Sequence, residues 1–231
     1  QWGARVTYRE QPVQRGIADA FLIGEDFIGA DRVCLALGDN LFFGRGFEES
    51  LRRAASFQDG GVVFGYYVDD PRPFGVVEFD SEGRAVGIEE KPPNPRSHFI
   101  VPGLYFYDSG VVDVAKRVRP SARGELEITS VNNAYLEAGG LRVVQLPGEV
   151  SWMDAGTADS LLEAAVAVRK AQEESGRPVA CLEQLAYEAG LIDRAALKQA
   201  GESMKSTEYG QYLLKRLSEC TKRKGAPENR R

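Results

Sequence analysis

The chain has 231 residues, of which 43% are hydrophobic and 27% charged, with a net charge of -5 at pH 7 and a sequence pI of about 5.2. That is an ordinary globular composition, long enough for one large domain or a domain with a helical appendage. It excludes an extended basic nucleic-acid surface, though not a small phosphorylated ligand in a local basic pocket, and no apolar run reaches the length of a membrane span or reads as a signal peptide.

The elements follow in chain order. Arg5 to Glu10 alternates and is rich in strand formers, so it predicts a strand that ends at Gln11-Pro12. From Gly16 a helical pattern places Ile17, Ala20, Phe21, Ile23 and Phe27 along one side. Arg32 to Leu37 is a short apolar strand, stopped by Gly38 and followed at once by Asp39. Gly46 to Phe57 reads as an amphipathic helix, and Gly61 to Val68 as a second apolar strand. This β-α-β-α-β alternation predicts an α/β fold, Rossmann-like, with a mixed, mainly parallel sheet flanked by helices.

The rhythm then changes. Gly75 to Phe79 and Ala85 to Glu90 flank Asp80-Ser81-Glu82-Gly83 and predict a hairpin. Phe99 to Tyr107 reads as one strand, Gly110 to Val118 and Glu127 to Ala138 as helices, and Gly139-Gly140 as the stop of the second. Leu141 to Leu146 is a late strand. Trp152 to Thr157 reads as a loop before a long helix from Ala158 to about Ser175, with Thr157 as its N-cap. Beyond Pro178 come shorter helices over Leu182 to Ala189, Asp193 to Ala200 and Thr207 to Leu217. The domain organisation expected is a sheet domain over 1–176, a helical subdomain over 177–218 and a disordered charged tail over 219–231.

Several residues could carry chemistry. Asp39 ends a buried strand, where open α/β sheets bind ligands, and so reads either as a metal ligand or as part of a Gly-Asp-Asn turn. Asp154 sits before a glycine and a helix N-cap. Two carboxylates on separate loops can hold Mg²⁺ with substrate phosphates if the fold brings them together; otherwise Asp154 only shapes its turn. Glu90 can accept hydrogen bonds from sugar hydroxyls, and Lys91 can hold a phosphate as a point charge; the alternative is a solvated strand end. Arg123 can grip a phosphate or pair with Glu125 or Glu127. The Gln11 amide, before a loop ending in Gly16, can match a base edge that has one donor and one acceptor. Cys34, Cys181 and Cys220 form no metal or redox motif and suit a reducing compartment. His98 cannot build a multi-histidine zinc site and reads as an exposed loop residue.

Taken together, the motifs Gln11…Gly16, Leu37-Gly38-Asp39-Asn40, Phe74-Gly75-Val76-Val77-Glu78-Phe79, Glu89-Glu90-Lys91-Pro92, Gly103-Leu104-Tyr105-Phe106-Tyr107, Arg123-Gly124-Glu125-Leu126-Glu127-Ile128-Thr129 and Trp152-Met153-Asp154-Ala155-Gly156-Thr157 occur in one specific order. In this the chain resembles the sugar-phosphate nucleotidylyltransferases, most closely the bacterial glucose-1-phosphate thymidylyltransferases of dTDP-rhamnose synthesis. The resemblance runs from Gln1 to about Leu217. It implies Mg²⁺-dependent transfer of a nucleotidyl group from dTTP to α-D-glucose 1-phosphate, giving dTDP-glucose and pyrophosphate in the cytoplasm. It implies Asp39 and Asp154 as Mg²⁺ ligands, and Gln11 with the Gly16 backbone as readers of thymine. Glu90 and the Gly75 backbone would hold glucose hydroxyls, Val101 would line the sugar pocket, and Lys91 and Arg123 would neutralise the sugar phosphate. The family is a homotetramer with a second, inhibitory nucleotide site; no nucleic acid or membrane is implied as a partner.

The sequence also departs from the family. The family opens with a strand and a Gly-rich loop carrying a catalytic Arg and Lys, which nothing before Gln1 supplies. The expectation is therefore an N-terminally truncated piece, inactive as it stands. Phe74, Pro102, Ala155 and Ser130 replace commoner residues, and Gly148 stands where a regulatory Arg is frequent. Two alternatives stay open: a relative using UTP or another sugar 1-phosphate, and a non-catalytic binding or assembly subunit.

Overall fold

A strand that is apolar on both faces must be covered on both sides. Gly61-Val-Val-Phe-Gly-Tyr-Tyr67 is such a run, and in the computed structural model, which describes residues 4–224, it forms β3 (Gly61–Tyr67) inside a mixed sheet. One edge of β3 pairs in parallel with β8 (Leu141–Gln145). Its other edge pairs antiparallel with β6 (Phe99–Ile100) and β7 (Leu104–Tyr107). Beyond β7 lies β1 (Val33–Ala36), antiparallel to it. Beyond β6 lies the predicted hairpin, β4 (Gly75–Phe79) and β5 (Ala85–Glu90).

The α/β class and the mixed sheet are as expected. β1, β3 and β8 run one way, but β7 is wedged antiparallel between β1 and β3, so parallel pairing is confined to β3 and β8. Phe99 to Tyr107 is two strands, not one. Pro102 has no N–H for a ladder and Gly103 packs close under Leu37, so the chain bends between them.

Alternation along β3 sends neighbours to opposite faces. Val63 joins Phe21, Tyr105, Tyr107, Val111, Val131 and Tyr135 under one set of helices. These are α1 (Asp19–Ile23), α2 (Glu25–Ile28), α4 (Val111–Arg117) and α5 (Ile128–Glu137). Val62 and Phe64 join Ala54, Leu104 and Val144 under α3 (Phe47–Ser56). The single helical pattern expected from Gly16 is broken at Gly24 into α1 and α2. Gly139 and Gly140 end α5 as predicted: their N–H groups donate to Leu136 O (2.9 Å) and Tyr135 O (2.8 Å), the double bond of a left-handed helix stop.

Two strands were not read from the sequence. β2 (Asn40–Gly44) and β9 (Val150–Asp154) form a separate antiparallel ribbon, with Asn40 opposite Asp154. Trp152, Met153 and Asp154 are thus strand residues, and the loop begins at Ala155. The predicted strand over Arg5 to Glu10 is not formed: the segment is exposed, with no strand beside it among the described residues, and an unpaired strand has nothing to satisfy its backbone.

The chain divides into two compact units, residues 8–167 and, for the rest, 4–7 with 168–224. The boundary falls within α6 (Ala158–Ser175), whose N-terminus is capped by Thr157: Ser160 N–H donates to Thr157 Oγ1 at 3.1 Å. The smaller unit contains α7 (Leu182–Glu188), α8 (Arg194–Ser203) and α9 (Glu208–Lys224) around Cys181, Leu197, Leu213 and Leu217. Since α9 runs to Lys224, part of the tail expected to be disordered is helical; residues 225–231 lie outside the described residues. Among the described residues no helix is long and apolar enough to cross a membrane.

Candidate active site

The β2–β9 ribbon fixes the position of both aspartates. Asp39 immediately precedes β2 and Asp154 closes β9, and Ala155 N–H donates to Asp39 O at 2.7 Å. Gly156 shows how near the two carboxylates come. A Cβ there would sit 2.8 Å from Asp154 Oδ1 and 3.6 Å from Asp39 Oδ2, so the missing side chain leaves a space that both carboxylates border. Gly156 N–H donates to Asp154 Oδ1 at 2.7 Å, and Asn40 Nδ2 to Asp39 Oδ1 at 2.9 Å. Each carboxylate is thereby aimed through one oxygen and keeps a second.

Asn40 ties this end together. Its Oδ1 accepts from Gly103 N–H (2.8 Å) and from Trp152 Nε1 (2.7 Å). One side chain thus joins Asp39, the bend between β6 and β7, and β9. Trp152 in turn meets Phe74 edge to face, with centroids 5.2 Å apart.

Asn40, Phe74, Gly103 and Trp152 wall one side of a cavity of about 160 Å³, which Gly75, Glu90, Lys91, Val101, Tyr105, Thr129 and Asp154 also line; Asp39 stands beside it without lining it. Glu90 pairs across the hairpin with Gly75 and accepts from Thr129 Oγ1 at 2.5 Å, while Val101 N–H donates to Gly75 O at 2.8 Å. In a regular strand Glu90 and Lys91 would face opposite ways. Lys91 instead has φ of 48°, and its N–H donates to Phe74 O at 3.0 Å. A left-handed backbone at a non-glycine residue stores roughly 1–3 kcal/mol and persists only where its surroundings enforce it. Here it lets both residues border one cavity. Burial raises the Tyr105 hydroxyl well above its ordinary pKa, and the negative charges of Glu90 and Asp39 push the same way.

Arg123 adjoins the cavity through Glu90. Its Nη2 lies 2.8 Å from Glu127, 3.7 Å from Glu90 and 3.8 Å from Glu125, and the Glu127 hydrogen bond heads the causes that raise its pKa. Both sequence readings of Arg123, phosphate grip and carboxylate pair, thus remain compatible with its position. Gln11 and Gly16 do not line the cavity; their neighbour Ile17 does. Gly16 has φ of 100°, and a Cβ there would stand 2.5 Å from Leu126 O, so only glycine fits where this loop crosses Leu126. His98, expected as an exposed loop residue, is exposed; its Nδ1 lies 3.0 Å from Val68 O and its ring stacks on Tyr67.

The model of the family described as Nucleotidyl transferase matches residues 1–171. The chain belongs to the nucleotidyl transferase family. Among curated relatives, the glucose-1-phosphate thymidylyltransferases of Neisseria meningitidis and Mycolicibacterium smegmatis are each 48% identical over 216 residues, which is 94% of this chain and 75% of theirs. A solved structure from Bacillus anthracis, described as a glucose-1-phosphate thymidylyltransferase in complex with a sucrose, is 42% identical with a TM-score of 0.63, over 71% of this chain and 65% of that one. A solved UDP-glucose pyrophosphorylase complexed with UDP-glucose, 23% identical with a TM-score of 0.58 over 71% of this chain, shares the fold. The resemblance stated from the motifs is borne out, and the chain is that of a nucleotidyltransferase enzyme family.

Sequence reasoning missed Asn40, Thr129 and Trp152 as parts of this region, and outside the cavity it missed Asp19, whose carboxylate accepts from Gln11 and Arg15. Asn40 stood beside a flagged aspartate, and Thr129 and Trp152 lay inside quoted motifs. Asp19 had no motif at all; its signal would have been a carboxylate on the apolar side of a helix.

Proposed function

We propose that the protein transfers a nucleotidyl group from dTTP to α-D-glucose 1-phosphate, releasing pyrophosphate and forming dTDP-glucose, as an enzyme of dTDP-rhamnose synthesis. The observation that carries this is the convergence of Asp39 and Asp154 beside a cavity that also holds Glu90 and Lys91. Such a transfer depends on positioning and on neutralising charge more than on covalent catalysis.

The donor set suits Mg²⁺. The two carboxylates are hard oxygen ligands, Gly156 leaves the space between them clear, and Mg²⁺ takes few protein ligands while phosphates and water complete its shell. Asp39 and Asp154 would hold the ion, which when bound would offset the negative charge gathering on the leaving pyrophosphate.

The chain's own groups do the rest. Glu90, held by Thr129, accepts from hexose hydroxyls, and the Gly75 and Val101 backbones border the same sugar. Lys91 lines the same cavity, and its ammonium neutralises the sugar phosphate. Arg123 assists by leaving its carboxylates for that phosphate. Gln11 and the Gly16 backbone face the base. A homo-oligomer in the cytoplasm is part of the same proposal, as is a sheet domain over 1–176 with a helical subdomain over 177–218.

The test is pyrophosphate release from the protein with glucose 1-phosphate and Mg²⁺, comparing dTTP with UTP. Faster release with dTTP is expected. Faster release with UTP overturns the choice of base, and binding of dTDP-glucose without any release identifies a binding subunit instead.

A further inference from the structure

Asp19 is a carboxylate with no exposed surface, at the start of α1. Its partners explain how it stays there. Arg15 Nη2 lies 3.0 Å from Asp19 Oδ1, an ion-pair contact without hydrogen-bond geometry, and Arg15 Nε donates to Oδ2 at 3.3 Å. Gln11 Nε2 donates to Asp19 Oδ2 at 3.0 Å and to Gly16 O at 3.1 Å. An amide nitrogen has two hydrogens, and both are used. A carboxylate paired with an arginine and a peptide carbonyl are acceptors only, so the nitrogen of Gln11, not its oxygen, must face them. That leaves Gln11 Oε1 as the group an exposed Gln11 presents outward.

The consequence is selective. Thymine and uracil carry an N3–H donor on the edge a glutamine reads, whereas cytosine carries an N3 acceptor at the same place. A carbonyl oxygen satisfies the first and repels the second. A site built for one hydrogen bond rejects a ligand that leaves its polar group unpaired far more strongly than it rejects a small change in apolar bulk. We propose that Asp19 is a positioning residue for base selection: it takes the Gln11 amide nitrogen from the buried side and so fixes the Gln11 carbonyl toward an imide N–H. This rests on the reading of Gln11 as the base-facing residue.

UDP-glucose and CDP-glucose differ only in the base, so their affinities for the protein, measured by calorimetry, isolate this edge. The wild type is expected to prefer UDP-glucose by roughly 10- to 100-fold, the range of an unmade buried hydrogen bond. In Asp19→Asn the new amide can donate to Gln11 Oε1 and let Gln11 turn over, so the preference is expected to fall at least several-fold. If Asp19 only supports the fold, both ligands weaken together and the ratio stays, which overturns the proposal and leaves the role of Gln11 intact. A wild type with no preference overturns both. The wild type also gives a reading that no variant can spoil: the Gln11 side-chain N–H resonances are expected to move little when UDP-glucose is added, because they face Asp19 and Gly16. A large shift would show the nitrogen turned to the ligand and contradict the proposal.

Discussion

The two ends of the cavity are built differently. At the end proposed to take the hexose, Glu90 is held by Thr129 on α5 and by the β4–β5 hairpin, and Thr129 itself is buried. At the other end, Asp39 and Asp154 ride on a two-stranded ribbon outside the main sheet, aimed by Asn40 and by the Gly156 backbone. Glu90 is already held in place before anything binds. The carboxylate end is a pair of like charges that gains from a cation between them. A preorganised site contributes affinity by avoiding ordering costs on binding, whereas a site completed by its ligand contributes only when that ligand brings the missing charge. The hexose end should therefore bind in the absence of metal, and the aspartate pair should not.

Variants can break this contrast. The largest effect is expected from Asn40→Leu, which leaves the Gly103 N–H and the Trp152 indole N–H without their acceptor and frees Asp39 at the same time. Two stranded donors cost about 2–5 kcal/mol in thermal or urea unfolding. An unchanged midpoint would show that Asn40 does not join the two ends. Next comes Glu90→Ala, which removes the acceptor proposed for the hexose hydroxyls. It should weaken glucose 1-phosphate by about 1–3 kcal/mol with and without Mg²⁺ alike. A loss confined to the Mg²⁺ condition would erase the distinction between the ends. Gly156→Ala puts a methyl 2.8 Å from Asp154 Oδ1. Crowding of that kind costs about 1–3 kcal/mol unless the carboxylate swings aside, and the loss is expected only in the Mg²⁺-dependent part of nucleotide-sugar affinity. The smallest is Thr129→Val, which keeps the shape and removes the bond to Glu90. About 1 kcal/mol of glucose 1-phosphate affinity should go; full affinity would mean Glu90 is held well enough by its backbone.

Much of the hexose end was legible in the sequence because its residues are local. The hairpin announced itself by its turn and its alternation, and Glu90 and Lys91 end its second strand. Their shared direction was not legible, since it depends on a left-handed φ at Lys91 that strand periodicity contradicts. The carboxylate end was legible only as two separate aspartates. Its ribbon joins residues 40–44 to 150–154, a pairing across more than a hundred residues that no local pattern encodes. The strand read over Arg5 to Glu10 failed for the converse reason: local alternation is present, and among the described residues no strand pairs with it. Asp19 escaped notice because a buried charge departs from the apolar pattern that marks a helix face, and only the positions of Arg15 and Gln11 show what it does.

Asp39 and Asp154 are proposed to act as one cation site. A double-mutant cycle measures it: the Mg²⁺-dependent gain in dTDP-glucose affinity is determined for the wild type, Asp39→Asn, Asp154→Asn and the pair. One shared site predicts that either single change removes essentially the whole gain and that the double change removes no more. Losses that simply add, or a single variant that keeps the gain, would place the two carboxylates in separate roles and contradict the account.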